Sequence, residues 1–243
     1  MSNERPATEV EALRRLVARL PEEHLPWPFG MPTSIAPRVV VIGASPGNSP
    51  AAGRRTPSDQ EKQYDPPTIG QAHRGFYYPD AKHYWDKVRA LCTAVVGCHS
   101  PELSEAEALA QSGHFNLGTG FAGTATVDVA EPAIVSWVSG LLGSVLPVEV
   151  VVGVGVKEIL TNPVVNQRWN DVPGGLQVEW DRPQERGSFQ SYQFRLWQAR
   201  RADGESVLVC LWPNHPSRPP FAGPVGPAWQ AAVDTFCEIV RDQ

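Results

Sequence analysis

A chain of 243 residues, 42% of them hydrophobic and 19% charged, is long enough to bury a sizeable core and has the make-up of a folded domain rather than a disordered one. Its formal net charge of −5 excludes a protein that coats nucleic acid by charge alone, since non-specific affinity comes from Lys and Arg neutralising phosphates, but a local grip on a few phosphates stays open. The sequence has no run of about 18 or more apolar residues to span a membrane, and Glu4, Glu9 and Glu11 with no apolar stretch do not make a signal peptide, so a cytoplasmic location away from membranes is expected.

Residues 7–20 read as an amphipathic helix with Val10, Leu13, Leu16, Val17 and Leu20 on one face, Thr8 as N-cap and Pro21 as stop. With the Pro/Trp-rich stretch after it, this makes residues 1–35 a lead-in. The 24 prolines are interleaved with aromatics such as Trp27, Phe29, Trp212 and Phe221, which argues for long ordered loops. Residues 38–43 (RVVVIG) are a continuous apolar run, the signature of a strand buried on both faces. A long irregular segment, 44–78, follows, and loops of that length in a compact domain are usually functional or disordered.

Residues 80–96 place Tyr84, Trp85, Val88, Leu91 and Val95 at helical spacing. Ser100 is expected to cap a short helix over 101–111, with Glu102 and Glu105 in its first turns. His114 to Leu117 reads as a short strand or its end, 131–146 as a helix, and 148–154 as a second buried strand. A broken helix over 156–168 holds Pro163 inside it, and 174–187 is a polar excursion. Residues 189–199 alternate like a half-exposed strand, which the turn Asp203-Gly204 joins to 206–212 as a hairpin. A last helix over 227–241 carries Trp229, Val233, Phe236 and Val240 on its apolar face. Alternating buried strands and helices predict one α/β domain over 1–243, a three-layer α/β/α arrangement around a mainly parallel sheet.

Cys92, Cys98, Cys210 and Cys237 are scattered and form no CxxC pair, so all four read as reduced thiols. HxH and HExxH patterns are also missing and the six histidines are dispersed, so neither metal nor cofactor is expected.

In an open α/β sheet, ligands bind beyond the carboxyl ends of the strands. Two loops leave such ends: Gly43-Ala44-Ser45-Pro46-Gly47-Asn48, and Asn214-His215-Pro216-Ser217. Gly43 and Gly47 allow close backbone approach to an anion or sugar, against the plainer reading of a tight strand exit. His215, fixed between Asn214 and Pro216, is suited to donating a hydrogen bond or shuttling a proton near neutral pH, against the plainer reading of an incidental loop histidine. Gly153-Val154-Gly155 is an incomplete dinucleotide motif that reads as a strand end, and the chain has no Walker A lysine. It also lacks a GxSxG elbow, and Ser217 lacks a nucleophile's setting.

Residues 42–48 (IGASPGN) followed by 214–221 (NHPSRPPF) resemble the two active-site motifs of the uracil-DNA glycosylase superfamily. The stretch 71–77 (QAHRGFY) falls where that family has its base-stacking aromatic, and Phe115-Asn116-Leu117 resembles the strand end whose asparagine reads the base. Val148 to Gly155 resembles the buried strand before the last motif, so the likeness runs in order over residues 36–240. It implies a glycosylase fold, DNA as partner, and a monomer that flips a base out and hydrolyses its N-glycosidic bond.

In that reading His215 stabilises the departing base, Asn116 bonds its edge, and Phe76 or Tyr77 stacks on its face. Ala44, Ser45 and Gly47 form the pocket floor. Ser217 and Arg218 contact the DNA backbone, and Phe221 acts as a wedge in the duplex. The family commonly has Asp or Asn just before the proline of its first motif, where this chain has Ser45, a poor general base. The search for the water-activating group therefore moves to Asn48 and to Asp65, with Asp59, Glu61 and Asp80 as rivals. Gly47 stands where an aromatic blocks bulky pyrimidines in the most uracil-specific branch, so a wider pocket is expected. A damaged or modified base is then the expected substrate, possible targets being a modified cytosine in repair or in defence against foreign DNA, and plain uracil. A non-catalytic nucleic-acid-binding or protein-binding module on the same scaffold is the alternative.

Overall fold

A computed structural model describes residues 37–44, 82–118, 127–190 and 192–243. Among these, seven strands form one mixed sheet: β1 (Val39–Gly43), β2 (Ser112–Asn116), β3 (Val150–Gly153), β4 (Gln177–Val178), β5 (Gln184–Phe189), β6 (Tyr192–Arg200) and β7 (Ser206–Leu211). The order β2-β1-β3-β7-β6-β4 has its first four members parallel. β6 returns antiparallel to β7, and β4 and β5 line the outer edge of β6.

The apolar runs are buried strands because successive residues serve two different cores. Val40, Ile42, Val151, Val209 and Leu211 face one side, packed on α3 (Pro132–Gly140), α4 (Lys157–Leu160) and α5 (Pro163–Asn170). Val39, Val41, Val150, Val152 and Cys210 face the other, covered by α1 (Lys82–His99), α2 (Glu105–Ala110) and α6 (Pro227–Arg241). Helices thus cover both faces of a mostly parallel sheet, as the alternation of elements predicts. No helix among the described residues is long and apolar enough to cross a membrane.

Several expectations need correcting. The short helix starts at Glu105, because Ser104, not Ser100, forms the capping box with Glu107. Ser100 instead receives a 2.8 Å hydrogen bond from Arg38. The helix expected over 131–146 stops at Gly140 and continues as one π-helical turn, Leu141–Val145. Pro163 starts α5 rather than interrupting a helix, with Asn162 as its N-cap, since a first-turn proline has no N–H bond to lose. Residues 174–187 contain β4 and much of β5, a polar edge strand without alternating apolar residues to announce it. Phe189 closes β5 rather than opening the next strand, and the chain turns at Gln190, whose φ is 54°. The helix expected over 7–20 lies outside the described residues.

Candidate active site

From β1 the chain moves outward to β2 and then returns across β1 to β3, so the direction of winding reverses between β1 and β3. The crevice beyond these carboxyl ends brings together Gly43 at the end of β1 and Ala44 after it, Asn116 at the end of β2, Gly155 after β3 and His215 after β7. Backbone bonds hold the rim: Leu117 N–H to Gly43 O at 3.0 Å, Val154 N–H to Ile42 O at 2.8 Å, and Trp212 N–H to Gly153 O at 2.8 Å.

Gly43 is small for a reason. A Cβ there would lie 2.5 Å from Asn116 Oδ1 and 3.4 Å from both His114 Nε2 and Tyr84 Oη. Its backbone therefore lies against three polar groups, and Asn116 itself is only 3% exposed. Ala44 is half-buried against the core beneath this floor.

The loop 214–221 is ordered by its own hydrogen bonds. Asn214 Oδ1 accepts from His215 N–H at 2.8 Å, and Asn214 Nδ2 donates to Pro219 O at 2.7 Å. Arg218 N–H bonds His215 O at 3.0 Å, and Phe221 N–H bonds Arg218 O at 2.8 Å. Ser217 N–H donates to His215 Nδ1 at 3.1 Å. A ring nitrogen that accepts carries no proton, so the neutral imidazole has its hydrogen on Nε2 and is a donor there. Burial, then the Arg218 charge, then the Lys87 charge hold the His215 pKa below its usual value, which favours that neutral form.

The imidazole is gripped from two sides. Tyr84 lies against it with ring centroids 6.1 Å apart and planes 26° from parallel. Gly155, at φ +67°, meets its Cδ2 edge, where a Cβ would come within 2.2 Å of His215 Cδ2. Gly155→Ala is therefore expected to displace the ring and to lower stability by about 1–2 kcal/mol for the left-handed backbone. Gly204→Ala is the control: φ there is +90° but nothing lies within 4 Å of its added Cβ. Both variants should lose stability in denaturant titrations, but only Gly155→Ala should move the His215 imidazole resonances.

Tyr84 Oη also hydrogen-bonds His114 Nε2 at 2.8 Å. Among the described residues His114 Nδ1 has no partner, and an orphaned buried N–H is costly, so the favoured tautomer carries its proton on Nε2 and donates to the phenol. Complete burial pushes the His114 pKa down to about 3 from 6.5. Below about pH 6.5 the unfolded chain binds a proton that the folded chain refuses until about pH 3, so stability should fall across that window. This residue alone contributes up to about 1.4 kcal/mol per pH unit. Denaturant titrations from pH 6 to 4 should give a shallower loss for His114→Gln, which can still donate to Tyr84. Equal slopes would contradict a neutral buried His114.

Ser217 and Arg218 are exposed at the loop tip, free to reach a ligand. Phe221 is not, and its expected place as a wedge in DNA is corrected. It is 2% exposed and packs between Phe189 and Trp229 at centroid distances of 5.8 and 5.2 Å. Ser45, Gly47, Asn48, Asp59, Glu61, Asp65, Phe76, Tyr77 and Asp80 lie outside the described residues.

Sequence reasoning passed over three neighbours of His215. Tyr84 was placed only on an apolar helix face, and Gly155 only at a strand end. Lys87 was missed, although it lies three residues from Tyr84 and four from Leu91, a charge in an otherwise buried stripe. Beside the loop, a cleft of about 220 Å³ is lined by Tyr192, Trp212 and Pro213 and carries the cations Lys157 and Arg195. A larger depression of about 480 Å³, near Val164 and Arg168, is lined by no residue of the crevice. Among the described residues no group of three His, Cys, Asp or Glu side chains could hold a metal ion. Comparison of the chain with protein-family models, curated proteins and solved structures gave no match.

Proposed function

We propose that the chain is a monofunctional DNA glycosylase of the uracil-DNA glycosylase type, which flips out a damaged or modified base and hydrolyses its N-glycosidic bond. The observation that carries the reading is His215: a neutral imidazole with a fixed Nε2–H donor, at the crevice where the winding of the sheet reverses.

The chemistry follows from that donor. As the bond from the sugar C1′ to the base nitrogen breaks, its electron pair leaves with the base and spreads onto a carbonyl oxygen. A hydrogen bond from Nε2–H stabilises that charge where it develops. Water adds to C1′ and gives up a proton, leaving an abasic site. The Asn116 amide offers a donor and an acceptor for the base edge. Ser217 and Arg218, both exposed, would contact phosphate in this reading, and the cations Lys157 and Arg195 lie beside the same loop. A local grip of this kind is compatible with a net charge of −5. Asn48 and Asp65 remain the proposed water-positioning groups. Gly47 in place of a blocking aromatic favours a substrate larger than uracil, with a modified cytosine as the leading class and plain uracil as the comparison.

The second reading, a non-catalytic nucleic-acid-binding module, is favoured by Ser45 standing where the family it resembles commonly has Asp or Asn. Incubation with single- and double-stranded oligonucleotides carrying uracil or modified cytosines, followed by alkali, separates the two. Alkali-labile breaks at the marked base support the enzyme, whereas binding with no break across the panel supports the module.

A further inference from the structure

Lys87 is a cation inside the protein: the residue is 1% exposed, on the face of α1 that meets the His215 loop. Its ammonium donates to Pro216 O at 2.8 Å, in that loop, and to Gly223 O at 2.5 Å, two residues beyond its end. Carbonyl acceptors favour the charged amine, while burial lowers its pKa and the nearby Asp86 carboxylate opposes that lowering. One helical turn earlier the same face presents Tyr84 to the imidazole. Helix α1 therefore touches the site twice, once by a ring against His215 and once by a charge beneath its loop.

We propose that Lys87 is a positioning residue for His215: its clamp on the carbonyls of Pro216 and Gly223 fixes the loop, and its charge disfavours a second positive charge on the imidazole. This rests on the glycosylase reading for its catalytic consequence, but not for its structural one. Among the described residues the groups named around His215 are Tyr84 and Lys87 from α1 and Arg218 from its own loop, none of them acidic. Both cations push the imidazole towards neutrality, and the Lys87 ammonium is itself hydrogen-bonded to main-chain carbonyls on either side of Arg218. A fixed positive charge bonded to the residue after His215 also favours an anionic leaving group over a neutral one, which is the sign that base departure requires.

The test uses the full chain with Lys87→Arg, Lys87→Gln and Lys87→Met, and follows the His215 imidazole by NMR from pH 4 to 8. Removing the charge, as Gln and Met do, should raise the His215 pKa, while Arg should keep it near the wild-type value. If Met fails to fold, Gln against Arg still decides, because both retain donors and differ in charge. An unchanged His215 pKa in Lys87→Gln overturns the electrostatic role whatever the protein's activity. For excision, Gln and Met should lower kcat on the order of 10–100-fold, as expected of a misplaced catalytic group, and should shift the acid limb of the pH profile upward. If the NMR shift appears and no base is released by any variant or by wild type, the glycosylase reading fails and the positioning of His215 by Lys87 stands.

Discussion

Phe221→Ala should lower the unfolding free energy by about 3–5 kcal/mol, the range for removing an aromatic side chain from a well-packed core. The ring contributes to a cluster with Phe189, Tyr192, Trp212 and Trp229, at centroid distances from 5.2 to 6.5 Å. Trp212 and Trp229 themselves lie 4.9 Å apart, and Trp229 anchors α6 to the sheet, so the cavity would open where that helix, the loop and β7 meet. A surface wedge truncated in the same way would change stability by no more than about 0.5 kcal/mol and would weaken DNA binding instead. Denaturant titration decides between these. A large loss of stability places Phe221 in the scaffold, and a near-neutral variant with impaired DNA binding would return it to the interface.

His215→Ala is expected to reduce single-turnover base release by roughly 10²–10³-fold, the usual consequence of losing one preorganised donor to a developing anion. The residue is partly buried in a loop, and its main-chain bonds to Asn214 and Arg218 do not need the side chain, so the fold should persist. The variant loses the acceptor for Ser217 N–H, which lies at the exposed loop tip where water can replace it. Circular dichroism and melting temperature should therefore change little while excision collapses. A variant that excises at the wild-type rate would remove His215 from the chemistry.

How much was legible in the sequence follows from what kind of signal each feature leaves. The strands over 39–43 and 150–153 and the helix over 227–241 show themselves because burial on one or two faces writes a periodic apolar pattern. The edge strand Gln184–Phe189 was invisible for the same reason, because a polar strand on a sheet edge has no apolar face to repeat. The π-helical turn after Gly140 shares its apolar composition with a continuous helix, so only backbone geometry separates them.

Of the candidate residues, His215 and Asn116 stand out in the sequence because they lie at or shortly after strand ends within recognisable local motifs. Phe221 was misplaced because a loop position in sequence says nothing of whether the loop folds its aromatic inward. Lys87 and His114 are 27 residues apart (87 to 114) on α1 and β2, and their meeting with the loop and with Tyr84 depends on the register of β1 with β2 and on the packing of α1. Gly155 could have been suspected only from its conformation, since φ +67° is a property of the folded backbone.

The most direct measurement of the central claim is mass spectrometry of bases released when the full chain is incubated with natural DNA, uracil-containing DNA and DNA carrying modified cytosines. A free base should appear from at least one of these, with a matching abasic site in the DNA and with release suppressed in His215→Ala. DNA that is bound but returned intact, with no base released from any of the three, would contradict the assignment of catalysis to this crevice.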